Sequence, residues 1–122
     1  MEPSGPSPAD LLCTIAEPTR LRLLNCLAGS PLFVLDLQAI LALPQPTVSR
    51  HLTVLRHAGI VRAVPCAQYM LYQIRWDGPP RDRLLRAILG VLSSDDHFTR
   101  ERQEAQARGR SRDRTLRSSA TA

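Results

Sequence analysis

A chain of 122 residues holds one domain of ordinary size, and with 43 % hydrophobic but only 4 % aromatic residues its core must be aliphatic. Three cysteines are too few for a disulfide scaffold and point to a reducing cytoplasm; no secretory signal opens the chain, and no apolar run approaches the ~18–20 residues of a membrane span. All 16 basic residues are arginine against 11 acids, a net +5 that is unevenly spread: residues 1–98 hold 9 arginines and 8 acids, residues 99–122 hold 7 and 3. That balance suits an anionic partner such as nucleic acid and equally suits a solvated basic tail, so the case for DNA rests on the nearly neutral body.

Residues 1–6 read as a flexible leader. Ser7-Pro8-Ala9-Asp10 announces helix 1, with a capping serine, a proline at the first helical position and an acid that can reach back. Leu11, Leu12 and Ile15 form its apolar face. Pro18 ends that helix and opens helix 2, which runs to about Ala28 before Gly29-Ser30-Pro31. Helix 3 spans about Leu35 to Ala42, Leu43-Pro44 breaks the chain, and helix 4 runs from Gln45-Pro46 to Ala58, closed by Gly59. Ile60–Pro65 and Tyr69–Ile74 are two strands of a hairpin joined through Cys66-Ala67-Gln68, with Pro65 at an edge and Tyr72 and Trp76 packing the hairpin onto helix 5. Gly78-Pro79-Pro80 leads into helix 5, whose stripe of Leu84, Leu85, Ile88, Val91 and Leu92 reads as a dimer surface together with Leu11 and Leu12 of helix 1. A sixth helix begins at His97 and fades after Ala107. The stretch from Gly109 to Ala122, almost free of apolar residues, reads as disordered. The domain plan is a leader (1–6), a DNA-binding and dimerisation domain (7–98) and an Arg-rich helix end with a disordered tail (99–122).

Helices 3 and 4 make a helix-turn-helix. At about 100° per residue from Val48, Leu52 and Leu55 share its inward stripe, while Ser49, Thr53, His57 and Arg50 fall between roughly 100° and 200° on a polar face without acids. Gln45 and Thr47 stand at the amino end, whose open N–H groups favour phosphate. Gln pairs with adenine, Arg with guanine, and Ser or Thr with base or phosphate, so this is a major-groove inventory. An ordinary amphipathic helix would show a solvated polar face as well. The hairpin directly after helix 4 tips the balance, because helix, turn, helix and a two-stranded wing form a compact DNA-binding unit.

The stretches AEPTRLRLLNCLA, LDLQAILALPQPTVSRHLTVLRHAGIV and YMLYQI resemble the ArsR/SmtB family of winged-helix repressors over about residues 9–92. The resemblance implies a mainly α fold with a small β-hairpin, a winged helix-turn-helix that is dimeric through its first and fifth helices. It implies a homodimeric, cytoplasmic repressor that leaves its double-stranded operator when a metal, metalloid or thiol oxidant arrives. By position it assigns Gln45, Thr47, Ser49, Arg50 and His51 to DNA, to which the polar faces of helix 4 and the wing add Thr53, Arg62 and Gln68. The chain departs from family sensor patterns: Phe33-Val34-Leu35-Asp36 stands where arsenic sensors carry Cys-x-Cys-Asp, and Asp95-Asp96-His97 lacks the later His-x-x-Glu of zinc sensors. Asp95, His97, Glu101 and Glu104 read as a capped helix start with an acidic face in preference to a partial hard-metal site.

No cofactor is required. An inducer of the As(III), Sb(III) or other thiophilic class would draw on Cys13, Cys26 and Cys66, which are far apart in sequence and would need tertiary or intersubunit convergence. Cys26, between leucines, reads as a buried structural residue. The alternative to a repressor is a winged-helix protein-interaction module without specific DNA binding. No nucleophile–base pair, Cys-x-x-Cys or glycine-rich phosphate loop suggests an enzyme.

Overall fold

The computed structural model describes residues 7–121, with side chains to 118. The order is α1 (Pro8–Ile15), α2 (Pro18–Gly29), α3 (Val34–Leu41), α4 (Gln45–His57), β1 (Val61–Cys66), β2 (Tyr69–Ile74), α5 (Arg81–Leu92) and α6 (Asp96–Thr121). Local chemistry sets most of the boundaries. The Ser7 hydroxyl accepts from the Asp10 N–H (3.1 Å) while the Asp10 carboxylate accepts from Ser7 N–H (3.4 Å), the reciprocal cap expected for α1. The Glu17 carboxylate accepts from Arg20 N–H (2.8 Å) and caps α2, and Asp36 accepts from Phe33 N–H (3.1 Å) at the head of α3. α3 ends on Ala42 in the left-handed region (φ 55°), and Gly59 (φ 74°) turns the chain from α4 into β1.

The core is aliphatic. Leu23, Leu37, Val48, Leu52, Leu55 and Ile60 are wholly buried, so α2, α3, α4 and the start of β1 close on one another. The strands pair antiparallel from Val61↔Ile74 to Cys66↔Tyr69, and Leu32 bridges Tyr72 through two backbone hydrogen bonds of 3.0 and 2.8 Å. Arg86 of α5 lies over the Trp76 ring at 4.2 Å, which ties the segment just after β2 to α5.

Two expectations are corrected. Residues 109–121 are not a disordered tail: α6 is one helix of 26 residues, and its first four turns lie along α2 and α3. Its anchors are polar and distant in sequence. Arg22 forks onto Glu101 (3.1 and 2.6 Å) and also reaches the Leu41 carbonyl (3.1 Å). Arg102 donates to Asn25 (3.0 Å) and to the Leu89 carbonyl (3.0 Å), while the wholly buried Asn25 donates to the Phe98 carbonyl (2.8 Å). Arg108 meets Asp36 at 3.5 Å, and Arg112 donates to the Pro31 carbonyl. Glycine lets the helices touch: a Cβ on Gly109 would come within 2.0 Å of Ser30 Oγ, and one on Gly29 within 2.9 Å of the Arg102 carbonyl.

The second correction concerns the apolar stripe assigned to dimerisation. Leu85 and Leu11 are buried inside the protomer itself, because the turns of α1 and α5 that carry them pack inward onto the same core. Leu12 and Val91 remain exposed, and Leu84, Ile88 and Leu92 are half-buried. The leader at residues 1–6 lies outside the described residues.

Candidate nucleic-acid interface

Pro44, in extended conformation, delivers the chain into α4, and its carbonyl accepts from Thr47 and Val48 N–H (3.1 and 3.2 Å). Val48, Leu52 and Leu55 fix the inner face of α4 at no exposure. The outer face carries exposed Gln45, Arg50, Thr53, Arg56 and His57, with Thr47 and Ser49 half-buried beside them. No acid occurs in α4. Gln45 Nε2 donates to Ser49 Oγ (2.7 Å), and Thr53 Oγ1 donates to the Ser49 carbonyl (2.9 Å), so three of the polar groups are held in register along one side. Arg50 has no hydrogen-bond or ion-pair partner among the described residues: its five N–H donors are open. Arg56 was not singled out from sequence; its spacing of seven from Ser49 puts it on the same side.

His51 faces elsewhere. Its Nδ1 accepts from Arg20 Nε at 3.3 Å and lies 3.7 Å from Glu17 Oε2, with the side chain only 12 % exposed. Arg20 also donates to the Thr14 carbonyl (2.7 Å), so α4 is bolted to the α1–α2 corner through this histidine. Burial alone would raise the Glu17 carboxyl, but the Arg20 and Thr19 N–H donors, followed by the charges of His51 and Arg20, outweigh it and hold the group below the usual carboxylate range. The assignment of His51 to DNA is therefore corrected: its ring is engaged inside the protein.

The wing supplies less. Arg62 is exposed on β1 opposite Gln73, and Gln68 sits at the turn, where it donates to the Tyr69 hydroxyl (2.9 Å). Phe33 at the head of α3 packs against Tyr69, with centroids 5.7 Å apart.

No group of three or more His, Cys, Asp or Glu side chains suited to a metal ion occurs among the described residues. Cys26 is wholly buried, and burial pushes its thiol up to about 12. Cys13 is exposed and Cys66 half-exposed. The donors around His97 are in structural use: Asp95 Oδ1 accepts from His97 and Phe98 N–H (2.8 and 3.2 Å), and Glu101 is held by Arg22.

Residues 17–63, which span α2 to β1, match the family model described as bacterial regulatory protein, arsR family. The biofilm growth-associated repressor of Agrobacterium fabrum is 36 % identical over 96 residues, which cover 79 % of this chain and 80 % of that protein. The chain belongs to the arsR family. Among solved structures, arsR-family resemblance extends to the transcriptional repressor BigR from Xylella fastidiosa (28 % identity, TM-score 0.60, covering 70 % of this chain and 82 % of that one). HlyU from Vibrio cholerae matches at 30 % identity and TM-score 0.59, over 69 % and 85 % of the two chains. The cadmium sensor CMTR from Mycobacterium tuberculosis matches at 34 % and 0.55, over 69 % and 81 %. This arsR-family protein is thus a winged-helix transcriptional regulator of the DNA-binding repressor type. Among its described residues no helix is long and apolar enough to cross a membrane.

Proposed function

We propose that a homodimer of this chain represses transcription in the cytoplasm by placing two copies of α4 in successive major grooves of an inverted-repeat operator, with half-sites ~34–36 Å apart. The observation that carries this reading is the acid-free outer face of α4 with the unpartnered Arg50 at its centre. Arg50 reads a guanine by its fork, Gln45 an adenine, Ser49 and Thr53 a base or phosphate, and Thr47 a phosphate at the helix head. Arg62 and Gln68 hold the flanking backbone from the wing. His51 acts indirectly, by fixing the pitch of α4 against Arg20 and Glu17. The exposed or half-buried Leu12, Leu84, Ile88, Val91 and Leu92 supply the apolar surface for the second protomer.

The named relatives include a cadmium sensor, and a thiophilic inducer such as As(III) or Sb(III) fits the same outline here only through Cys13 and Cys66, the two thiols with exposed surface. The residues present do not make a three-ligand centre within one described protomer, so no release step is derived through a metal.

The test is a footprint on the promoter upstream of the chain's own gene. A protected inverted repeat that Arg50→Ala no longer protects, while the variant stays dimeric, supports the reading. Unaltered protection by Arg50→Ala removes α4 as the reader. A wild-type protein that retards all DNA alike, or none, favours the protein-interaction alternative.

A further inference from the structure

We infer that α6 is a second DNA-binding element, a rigid basic arm whose arginines hold phosphates flanking the sequence read by α4; this rests on the repressor reading above. The acids of its main length are spent. Glu101 holds Arg22, Glu104 holds Arg108, and Asp113 holds Arg112. Arg110 and Arg114 have no ion-pair partner among the described residues, and both are exposed. At about 100° per residue, Arg110 and Arg114 fall roughly 40° apart on the side turned away from the buried Ala105. The result is a pair of exposed, unspent cations one turn apart on a helix otherwise poor in apolar surface, and their complement is a polyanion.

Direction supports the same partner. α6 runs antiparallel to α3: Glu101 shares Arg22 with the Leu41 carbonyl at the end of α3, and Arg108 meets Asp36 in its first turn. Beyond Arg112, which touches Pro31, residues 113–118 are all exposed. The arm therefore leaves the body beside the amino end of α3 and next to the Leu32–Tyr72 bridge of the wing. In a helix-turn-helix the first helix crosses the sugar–phosphate backbone, so a helix projecting past its amino end reaches toward the neighbouring duplex. The Gly29 and Gly109 contacts and the Asn25–Arg102 bonds set the course of the arm before DNA arrives, so little ordering is required on binding.

The experiment measures affinity against salt on two operators, one trimmed to the footprinted inverted repeat and one with ten further base pairs on each side. Wild type and the double variant Arg110→Gln/Arg114→Gln are compared. Each phosphate contact adds about 0.9 to the slope of log K against log salt, so four arginines per dimer should steepen the wild-type slope by about 3–4 on the longer duplex. The double variant should lose that increment and bind the long duplex at least tenfold more weakly at low salt, while protecting the same bases. Equal slopes on both duplexes, or an unchanged slope in the double variant, overturn the arm and leave the α4 reading intact. Loss of all sequence preference in the wild type overturns the α4 reading instead. Gly109→Val, which displaces α6 from Ser30 and keeps every arginine, should also flatten the long-duplex slope; a wild-type slope in that variant counts against a fixed arm.

Discussion

Two polar regions of this molecule look alike as sequence and differ in kind as structure. The seam between α2 and α6 and the outer face of α4 both carry arginine, glutamine or asparagine and short hydroxyl residues. In the seam the arginines find partners: Arg22 with Glu101, Arg102 with Asn25, Arg112 with a carbonyl. On α4 the groups are aligned by Gln45–Ser49 and Thr53–Ser49 contacts, yet Arg50 is left open. The difference teaches that polarity marks a binding surface only where donors remain unspent. A satisfied network holds the fold, and an unsatisfied one, at a solvent face, awaits a ligand.

The comparison can be broken at several points. The largest contrast is chemical: with its thiol near 12, Cys26 in the seam should alkylate about a thousandfold more slowly than an ordinary exposed thiol at pH 8. Thiol counting should find at most two reactive groups per native chain and a third only after unfolding; three fast thiols would mean the seam is open in solution. Next, Arg22→Ala leaves Glu101, which is 6 % exposed, with only His97 Nε2 at 3.5 Å, and should lower unfolding free energy by about 3 kcal/mol in urea titration. A loss below about 0.5 kcal/mol would make the seam no more than surface decoration. Arg50→Ala should do the opposite, leaving the urea midpoint in place while weakening operator binding by about 1–3 kcal/mol per half-site, read by gel shift. His51→Ala lies between the two, with about 1 kcal/mol lost in stability and a smaller binding defect than Arg50→Ala. The smallest effect is expected at the turn between α3 and α4, where Ala42 holds φ 55°. Ala42→Gly should raise stability by roughly 0.5–1 kcal/mol, seen as a higher melting temperature with unchanged DNA binding.

Most of the architecture was legible because its causes are local. Ser7 and Asp10, Pro18, Pro46 and Gly59 mark boundaries through capping and φ preferences, and the Val48–Leu52–Leu55 stripe orients α4 without reference to anything distant. α6 escaped for the converse reason. Its apolar burial past Phe98 amounts to little more than Ala105, and what holds it are partners some 72 to 81 positions away, which no window along the chain brings together. His51 is a different case. Its assignment to DNA came from family position, whereas the helical count already puts it about 40° from Leu55, on the inward flank. Leu85 and Leu11 show the limit of an apolar stripe, which says that one side of a helix is dry and not whose atoms keep it dry.

The bridge between Leu32 and Tyr72 has a consequence for how the protein behaves when crowded. A hairpin of two six-residue strands presents two open margins, each a template for pairing with another molecule. Leu32 occupies part of the β2 margin, and Pro65 removes a donor from β1. Copies gathered side by side on neighbouring sites therefore have little opportunity to zip their wings together, and the hairpin stays free for its own work.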